Sequence, residues 1–463
     1  MRKMAGLALM IGAALAAGCN SNNDSSAPEP GAKNVIFFLG DGMGLNTLTA
    51  ARIYGVGEEG SLTIDTLPET AFIKTFSHDA QVTDSAPSMS AYMTGVKSNN
   101  GVISMDGDAT QENDCSQSTG KPVTTLLELA KAAGRGTGVV TTTRVTHATP
   151  AATYAHLCNR DLEADIAAQL VPGGAGYNSA LKEGVDVVLG GGSSFFLPKA
   201  DKGKREDGRN LIDEMKAKGY QFAATLDELN QADASKPLLG LFGSSHMKYD
   251  LDRPASEPSL TQMTLAAIKQ LKDKKQGYFL MVEGGRIDHA LHDTNAKRAL
   301  QDTLAFDNAI KAAIDEVKKT DPELKNTLIV VTADHDHTLV LNGYAKRTGK
   351  TTADNPGVLG LVKNYETGEP SKDADGMPYT IIGFGNGYNR VDGPRSSVAP
   401  LDDATVSAND YHQEVVVKVG EIGNETHGGT DVFLGAIGQG ADSFHGSLDN
   451  TAVFGKVKAA AGL

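Results

Sequence analysis

Short apolar runs alternate with amphipathic stretches along most of the chain. NVIFFLG (34–40), TGVVTTT (137–143), VDVVLGG (185–191), GYFLMVE (277–283), NTLIVVTAD (326–334) and YTIIGFG (379–385) read as buried strands. Helical signals lie between them, in VTTLLELAKAAG, SLTQMTLAAIKQLKDKK and DTLAFDNAIKAAIDEVKK. This alternation predicts an α/β fold, a three-layer α/β/α sandwich around a mainly parallel central sheet. Ligands on such sheets bind beyond the carboxyl ends of the strands, so those ends are where chemistry is expected.

Metal-type side chains gather at those ends. NVIFFLG runs into Asp41 within GDGMG, GYFLMVE ends in Glu283, NTLIVVTA runs into Asp334 and His335, and TGVVTTT leads to His147 and Thr149. One polar residue after a strand is ordinary loop chemistry, but several potential ligands, each at such an end, form a pattern. In EGGRIDHALH, Asp288 and His292 are four apart and share one helix face. Such a pair can grip a zinc ion or simply form a surface ion pair. TADHDH reads equally as turn capping, Asp41 as an Asx-turn, and His427 in ETHGGTDV as a lone histidine among glycines. In TDSAPSMSAYMTG (83–95), Ser85 stands at the mouth of a helix of small residues. It is either a helix cap or a hydroxyl kept free to react.

Composition narrows the class. The chain has 463 residues, 40% of them hydrophobic, enough for a sizeable core. A formal net charge of −14 argues against nucleic-acid binding through a general basic surface. Arg2 and Lys3 precede the apolar run MAGLALMIGAALAAG, which is short for a membrane span. The run closes on Leu15-Ala-Ala-Gly-Cys19 and resembles a bacterial lipoprotein signal. Residues 1–18 are thus expected to be a signal peptide, 19–33 a polar tether and 34–463 the folded domain. A lipidated Cys19 would tether an exported protein, periplasmic or anchored to the outer membrane of a bacterium. In such an oxidising compartment the remaining pair, Cys115 and Cys158, is expected to form a disulfide.

The order DGMG, DSA, HATPAA…R, EGGRIDHALH, ADH, THGGTDV resembles the alkaline phosphatase family through essentially the whole chain after the tether. The resemblance implies hydrolysis of phosphate monoesters over a broad range, through a phosphoseryl intermediate, with two zinc ions and one magnesium ion per chain. It implies that Ser85 is the nucleophile and that Arg160 clamps phosphate. Asp288, His292 and His427 would hold one zinc; Asp41, Asp334, His335 and Ser85 the second; Asp41, Thr149 and Glu283 the magnesium. His147 and His289 follow the animal members of the family at positions beside the magnesium rather than on it, which implies weaker magnesium retention. His156, His337 and His445 are expected to be structural or to lie behind the ligands. A homodimer is the family expectation, with a crown-like insertion near residues 343–410 meeting the partner. A phosphodiesterase or sulfatase relative, or a non-catalytic metal- or phosphate-binding lipoprotein, are the alternatives.

Overall fold

The computed structural model describes residues 31–463. The expected signal peptide, Cys19 and all but the last three residues of the tether therefore lie outside the described residues. Eight strands in chain order are β1 (Asn34–Gly40), β2 (Glu69–Lys74), β3 (Gly136–Arg144), β4 (Val187–Gly191), β5 (Gln221–Ala223), β6 (Leu238–Leu241), β7 (Tyr278–Gly284) and β8 (Thr327–Ala333). With Val432–Gly438 and Gly446–Asp449 they build one ten-stranded sheet. Its order is Gly446–Asp449, β2, Val432–Gly438, β8, β1, β7, β3, β4, β6, β5. Neighbours pair in parallel except where Val432–Gly438 runs against β2 and β8.

β7 and β8 are buried from end to end, and β1 from its second residue. That is why they read as unbroken apolar runs: both faces are covered. Successive residues of a strand face opposite sides. The Phe37 ring packs 5.6 Å from Tyr92, on helix Ser85–Thr94. The Phe38 ring packs 5.9 Å from Phe306, on helix Ala296–Lys318. The two helices therefore lie on opposite faces of the sheet, which makes three layers. Burying each of these rings contributes about 1.5–3 kcal/mol.

The register sets the active end. Gly40 pairs with Gly284 of β7 and with Ala333 of β8, so Asp41 and Asp334 leave the sheet side by side. The antiparallel strand Val432–Gly438 enters at this same end, which is how His427, just before it, arrives beside residues that follow parallel strands.

Five of the six expected strands are in the central sheet. The sixth run, YTIIGFG, forms Ile382–Gly387 in a separate three-stranded sheet with Leu339–Leu341 and Val415–Lys418. An apolar run signals burial but not which sheet buries it. Helix Ala296–Lys318 begins six residues before the DTLAF motif, capped by Asn295, whose side chain accepts from the Arg298 N–H. The segment 343–410 is mostly turns and isolated bridges, such as Ala345–Asn364 and Leu361–Thr380. Arg395 ties it to the second sheet through Glu414, 2.7 Å away. Cys115 and Cys158 form the expected disulfide.

Candidate active site

Helix Ser85–Thr94 is capped by Asp84, whose carboxylate accepts from the Ala86 N–H at 2.6 Å and from the Gly101 N–H. Ser85 is therefore not the cap. Its Oγ instead lies 3.3 Å from Asp41 Oδ1 and 3.2 Å from His335 Nε2, in a pocket that leaves the residue 2% exposed. Between the capping reading and the reactive one, the geometry leaves the hydroxyl free for chemistry.

Asp41, Asp334 and His335 bring one ligand atom each within 4.8 Å of one another. Asp334 Oδ1 accepts from the Gly42 and His335 N–H groups, both at 3.0 Å, which orients the carboxylate. Gly42 has φ +68°, and a Cβ there would stand 2.5 Å from His337 Nε2. Only glycine lets the chain turn this tightly between the two clusters.

The second group gathers on Asp288 Oδ1. His292 Nε2 lies 3.3 Å away and His427 Nε2 3.5 Å away, as the helix spacing of Asp288 and His292 allows. The two imidazole nitrogens are 3.1 Å from each other, aimed at a shared point. His337 Nε2 lies nearest, at 2.8 Å, while its Nδ1 is held by Glu425 at 2.6 Å. His337, expected behind the ligands, thus touches this carboxylate directly and belongs to a metal-capable set with Asp288, His335 and His427. Glu425, 2% exposed, was not singled out from the sequence. It lies in the ETHGGTDV stretch, two residues before His427, and comes under His337 because His427–Gly428 pairs with Asp336–His337.

A third group joins Asp41, Glu283 and His147 within the same span. Thr149 Oγ1 lies 3.4 Å from Asp41 Oδ2, and Glu283 Oε2 accepts from Thr141 and, at 3.2 Å, from Thr143. Arg160 donates to Asp84 Oδ1 at 3.3 Å and stands 3.0 Å from His147 Nε2. His289 lies beside His147, ring centres 5.4 Å apart, and His246 closes the cluster 4.2 Å from His289. His246 went unnoticed in the sequence because its stretch, GLFGSSHMKYDLDR, carries no ligand spacing. His156 and His445 lie outside these three groups.

The electrostatics are those of a place built for cations. Burial pushes the Asp41 carboxyl well above its usual range, and Asp288 and Glu283 push it further. Burial brings Glu283 up to about 7, with Asp334 adding to it, and Asp334 up to about 8, with Asp41 adding. Burial would raise Asp288 too, but charge on His292 and hydrogen bonds from His292, His337 and His427 hold it well below the usual range. Burial lowers His335, and lowers His427 to about 3 with help from His335. Within these groups three buried polar atoms have no hydrogen-bond partner: Glu283 Oε1, Asp334 Oδ2 and His147 Nδ1. Crowded carboxylates beside the unprotonated imidazoles of His335 and His427, with unsatisfied atoms among them, fit divalent metal ions.

Comparison with known proteins agrees with this chemistry. A family model described as alkaline phosphatase matches residues 32–463. The tissue-nonspecific alkaline phosphatase of Homo sapiens is 38% identical over 456 residues, covering 90% of this chain and 81% of the relative. A membrane-bound alkaline phosphatase of Bombyx mori is 38% identical over 463 residues, covering 91% and 78%. Among solved structures, the alkaline phosphatase of Thermus thermophilus is 28% identical with a TM-score of 0.68, over 94% of this chain and 92% of that one. The alkaline phosphatase from the Antarctic bacterium TAB5 shares the fold, with a TM-score of 0.65 and 24% identity over 93% of this chain and 99% of that one.

Proposed function

The chain belongs to the alkaline phosphatase family and is an alkaline phosphatase, and we propose that it hydrolyses a broad range of phosphate monoesters through a phosphoseryl intermediate on Ser85. The observation that carries this reading is the uncapped Ser85 hydroxyl, set between Asp41 and His335 with Arg160 close by on the capping Asp84.

In this reading Asp41, Asp334 and His335 hold one zinc with Ser85, and Asp288, His292 and His427 hold the other. Asp41, Thr149 and Glu283 hold the magnesium, with His147 and His289 beside it. The partnerless atoms of Glu283 and Asp334 support this placement. Bound there, the ions would supply Lewis-acid stabilisation of the attacking and leaving oxygens.

The chain's own residues do the rest. Ser85 donates its hydroxyl proton toward Asp41 Oδ1, which turns the Oγ lone pairs into the site. Arg160 presents paired N–H donors to two phosphate oxygens and offsets their charge. The Oγ–P bond forms as the bond from phosphorus to the alcohol oxygen breaks, and the alcohol departs with the proton that Ser85 gave up. Water then attacks phosphorus, the Oγ–P bond breaks, and one proton of the water passes to Ser85 Oγ as inorganic phosphate leaves.

The test compares hydrolysis of p-nitrophenyl phosphate with that of its bis-ester at alkaline pH. A large preference for the monoester, abolished by EDTA and restored by zinc with magnesium, is expected. Preference for the diester would move the protein to the neighbouring phosphodiesterases and undo the role of Arg160.

The same proposal extends to the whole chain: an exported protein anchored through lipidated Cys19, working as a homodimer in which segment 343–410 meets the partner. The lipoprotein-like signal supports the anchor. Among the described residues no helix is long and apolar enough to cross a membrane. Cys19→Ala is expected to move the enzyme from the membrane to the soluble fraction, and light scattering of that soluble form reads the dimer.

A further inference from the structure

Arg160 sits on an irregular segment, and residues 156–160 owe their shape to their neighbours. Leu157 exchanges backbone hydrogen bonds with Ile103 at 2.8 and 3.0 Å, Cys158 is bridged to Cys115, and the Arg160 N–H donates to Gly101 O at 2.8 Å. All three partners lie on the segment 101–115, which is itself largely a loop. Asp84 ties the pair to the start of the Ser85 helix, accepting from the Gly101 N–H and from Arg160.

His156 adds an anchor to a further helix. Its Nε2 lies 2.7 Å from Glu128 Oε1, and its Nδ1 lies 2.8 Å from the Ser104 carbonyl. Both ring nitrogens face acceptors, so both carry protons and the ring is an imidazolium. Glu128 is the buried third residue of helix Leu126–Ala132, and its other oxygen, Oε2, closes the capping box with the Thr125 N–H at 2.8 Å. Asn178 Nδ2 donates to Glu128 Oε1 at 2.6 Å. Ser104, held at φ 46°, donates its N–H to Ser90 Oγ at 2.7 Å, on the helix that begins with Ser85. His156 thus joins helix Leu126–Ala132 to Ser104, whose own N–H reaches the helix that begins with Ser85. In agreement, Glu128 raises the His156 pKa against the opposite pull of burial.

We propose that the buried His156–Glu128 ion pair is a positioning element of the phosphate clamp, helping Asp84 and the disulfide to fix Arg160 relative to Ser85. The inference rests on the reading of Arg160 as the phosphate-binding group. An ion pair removed from water holds its geometry more strictly than an exposed one, because losing either partner strands a buried charge. A clamp displaced by about 1 Å loses a large part of its effect.

The experiment measures kcat and KM for p-nitrophenyl phosphate, and inhibition by inorganic phosphate, in His156→Gln, Glu128→Gln, Arg160→Ala and each of the first two combined with Arg160→Ala. Glu128→Gln keeps a residue suited to the capping box, so it serves should His156→Gln fail to fold. Arg160 meets phosphate in the ground state as well as the transition state, so its displacement appears mainly in KM. Each clasp variant is expected to raise KM and the inhibition constant of phosphate together by about five- to tenfold, with kcat falling by a smaller factor. In the Arg160→Ala background the same substitutions should add almost nothing, because the group they position is gone. Wild-type KM and phosphate inhibition in a folded clasp variant would overturn the proposal. So would an undiminished effect in the Arg160→Ala background, which would mark a role in general stability. If Arg160→Ala alone leaves KM and phosphate inhibition unchanged, the assignment of the clamp itself is wrong.

Discussion

Ser85 occupies the first position of its helix while Asp84 does the capping, so its hydroxyl keeps company with Asp41 and His335. Ser85→Ala removes the atom that receives the phosphoryl group, and kcat/KM is expected to fall by about a thousandfold or more. Steady-state hydrolysis beside thermal unfolding checks this, with the unfolding midpoint little changed. Most of the candidate metal-binding residues could be proposed from the sequence because they follow a buried strand or share a helix face with another; His427 does neither. Asp288 and His292 show the rule, their ligand atoms lying 3.3 Å apart. Glu425 was not legible, because a carboxylate in a glycine-rich turn looks like solvent-facing loop until the pairing of His427–Gly428 with Asp336–His337 buries it. His337, expected to be structural or to lie behind the ligands, is turned onto Asp288 by the short strand after Asp334 and His335.

At the scale of elements, the segment that carries Arg160 is bridged by a disulfide that spans 43 residues. In the chain-entropy model a closure of that length is worth about 4 kcal/mol, mostly by restricting the unfolded chain. Replacing Cys115 and Cys158 with serine is therefore expected to lower unfolding stability in denaturant by roughly 2–4 kcal/mol and to raise KM, since Cys158 lies two residues from Arg160. A variant of unchanged stability and KM would show that the hydrogen bonds to Ile103 and Gly101 hold the segment unaided. Legibility followed burial here too. β1, β3, β4, β7 and β8 announced themselves as apolar runs, whereas β2, with alternate residues exposed, and Val432–Gly438, with glycines within it, did not. Those two strands set the antiparallel edge, so the sequence alone could not show how His427 reaches the site.

For the molecule as a whole, the active end of the sheet concentrates carboxylates that the fold tolerates only in company. Without cations, burial raises Glu283 to about 7 and Asp334 to about 8, from unfolded values of roughly 4. The folded apo-protein then binds more protons than the unfolded chain between those limits, so its stability falls as pH rises through them. EDTA-treated protein is expected to melt at progressively lower temperature from about pH 5 to pH 8, while zinc- and magnesium-loaded protein does not. Parallel pH trends in the two forms would remove the carboxylates from the account of metal binding. The layered architecture and the end of the sheet that works were legible from alternation and strand ends. The second sheet was not, since the run YTIIGFG reads as a buried strand in the same way as the runs of the first.

The central claim is that phosphate passes through Ser85. Enzyme mixed with a phosphate monoester, quenched in acid during turnover and digested, is examined by mass spectrometry for covalent phosphate. The account predicts phosphate on the peptide that contains Ser85, located on that residue, and none in Ser85→Ala treated alike. Phosphate on another side chain, or an active Ser85→Ala enzyme, would contradict it.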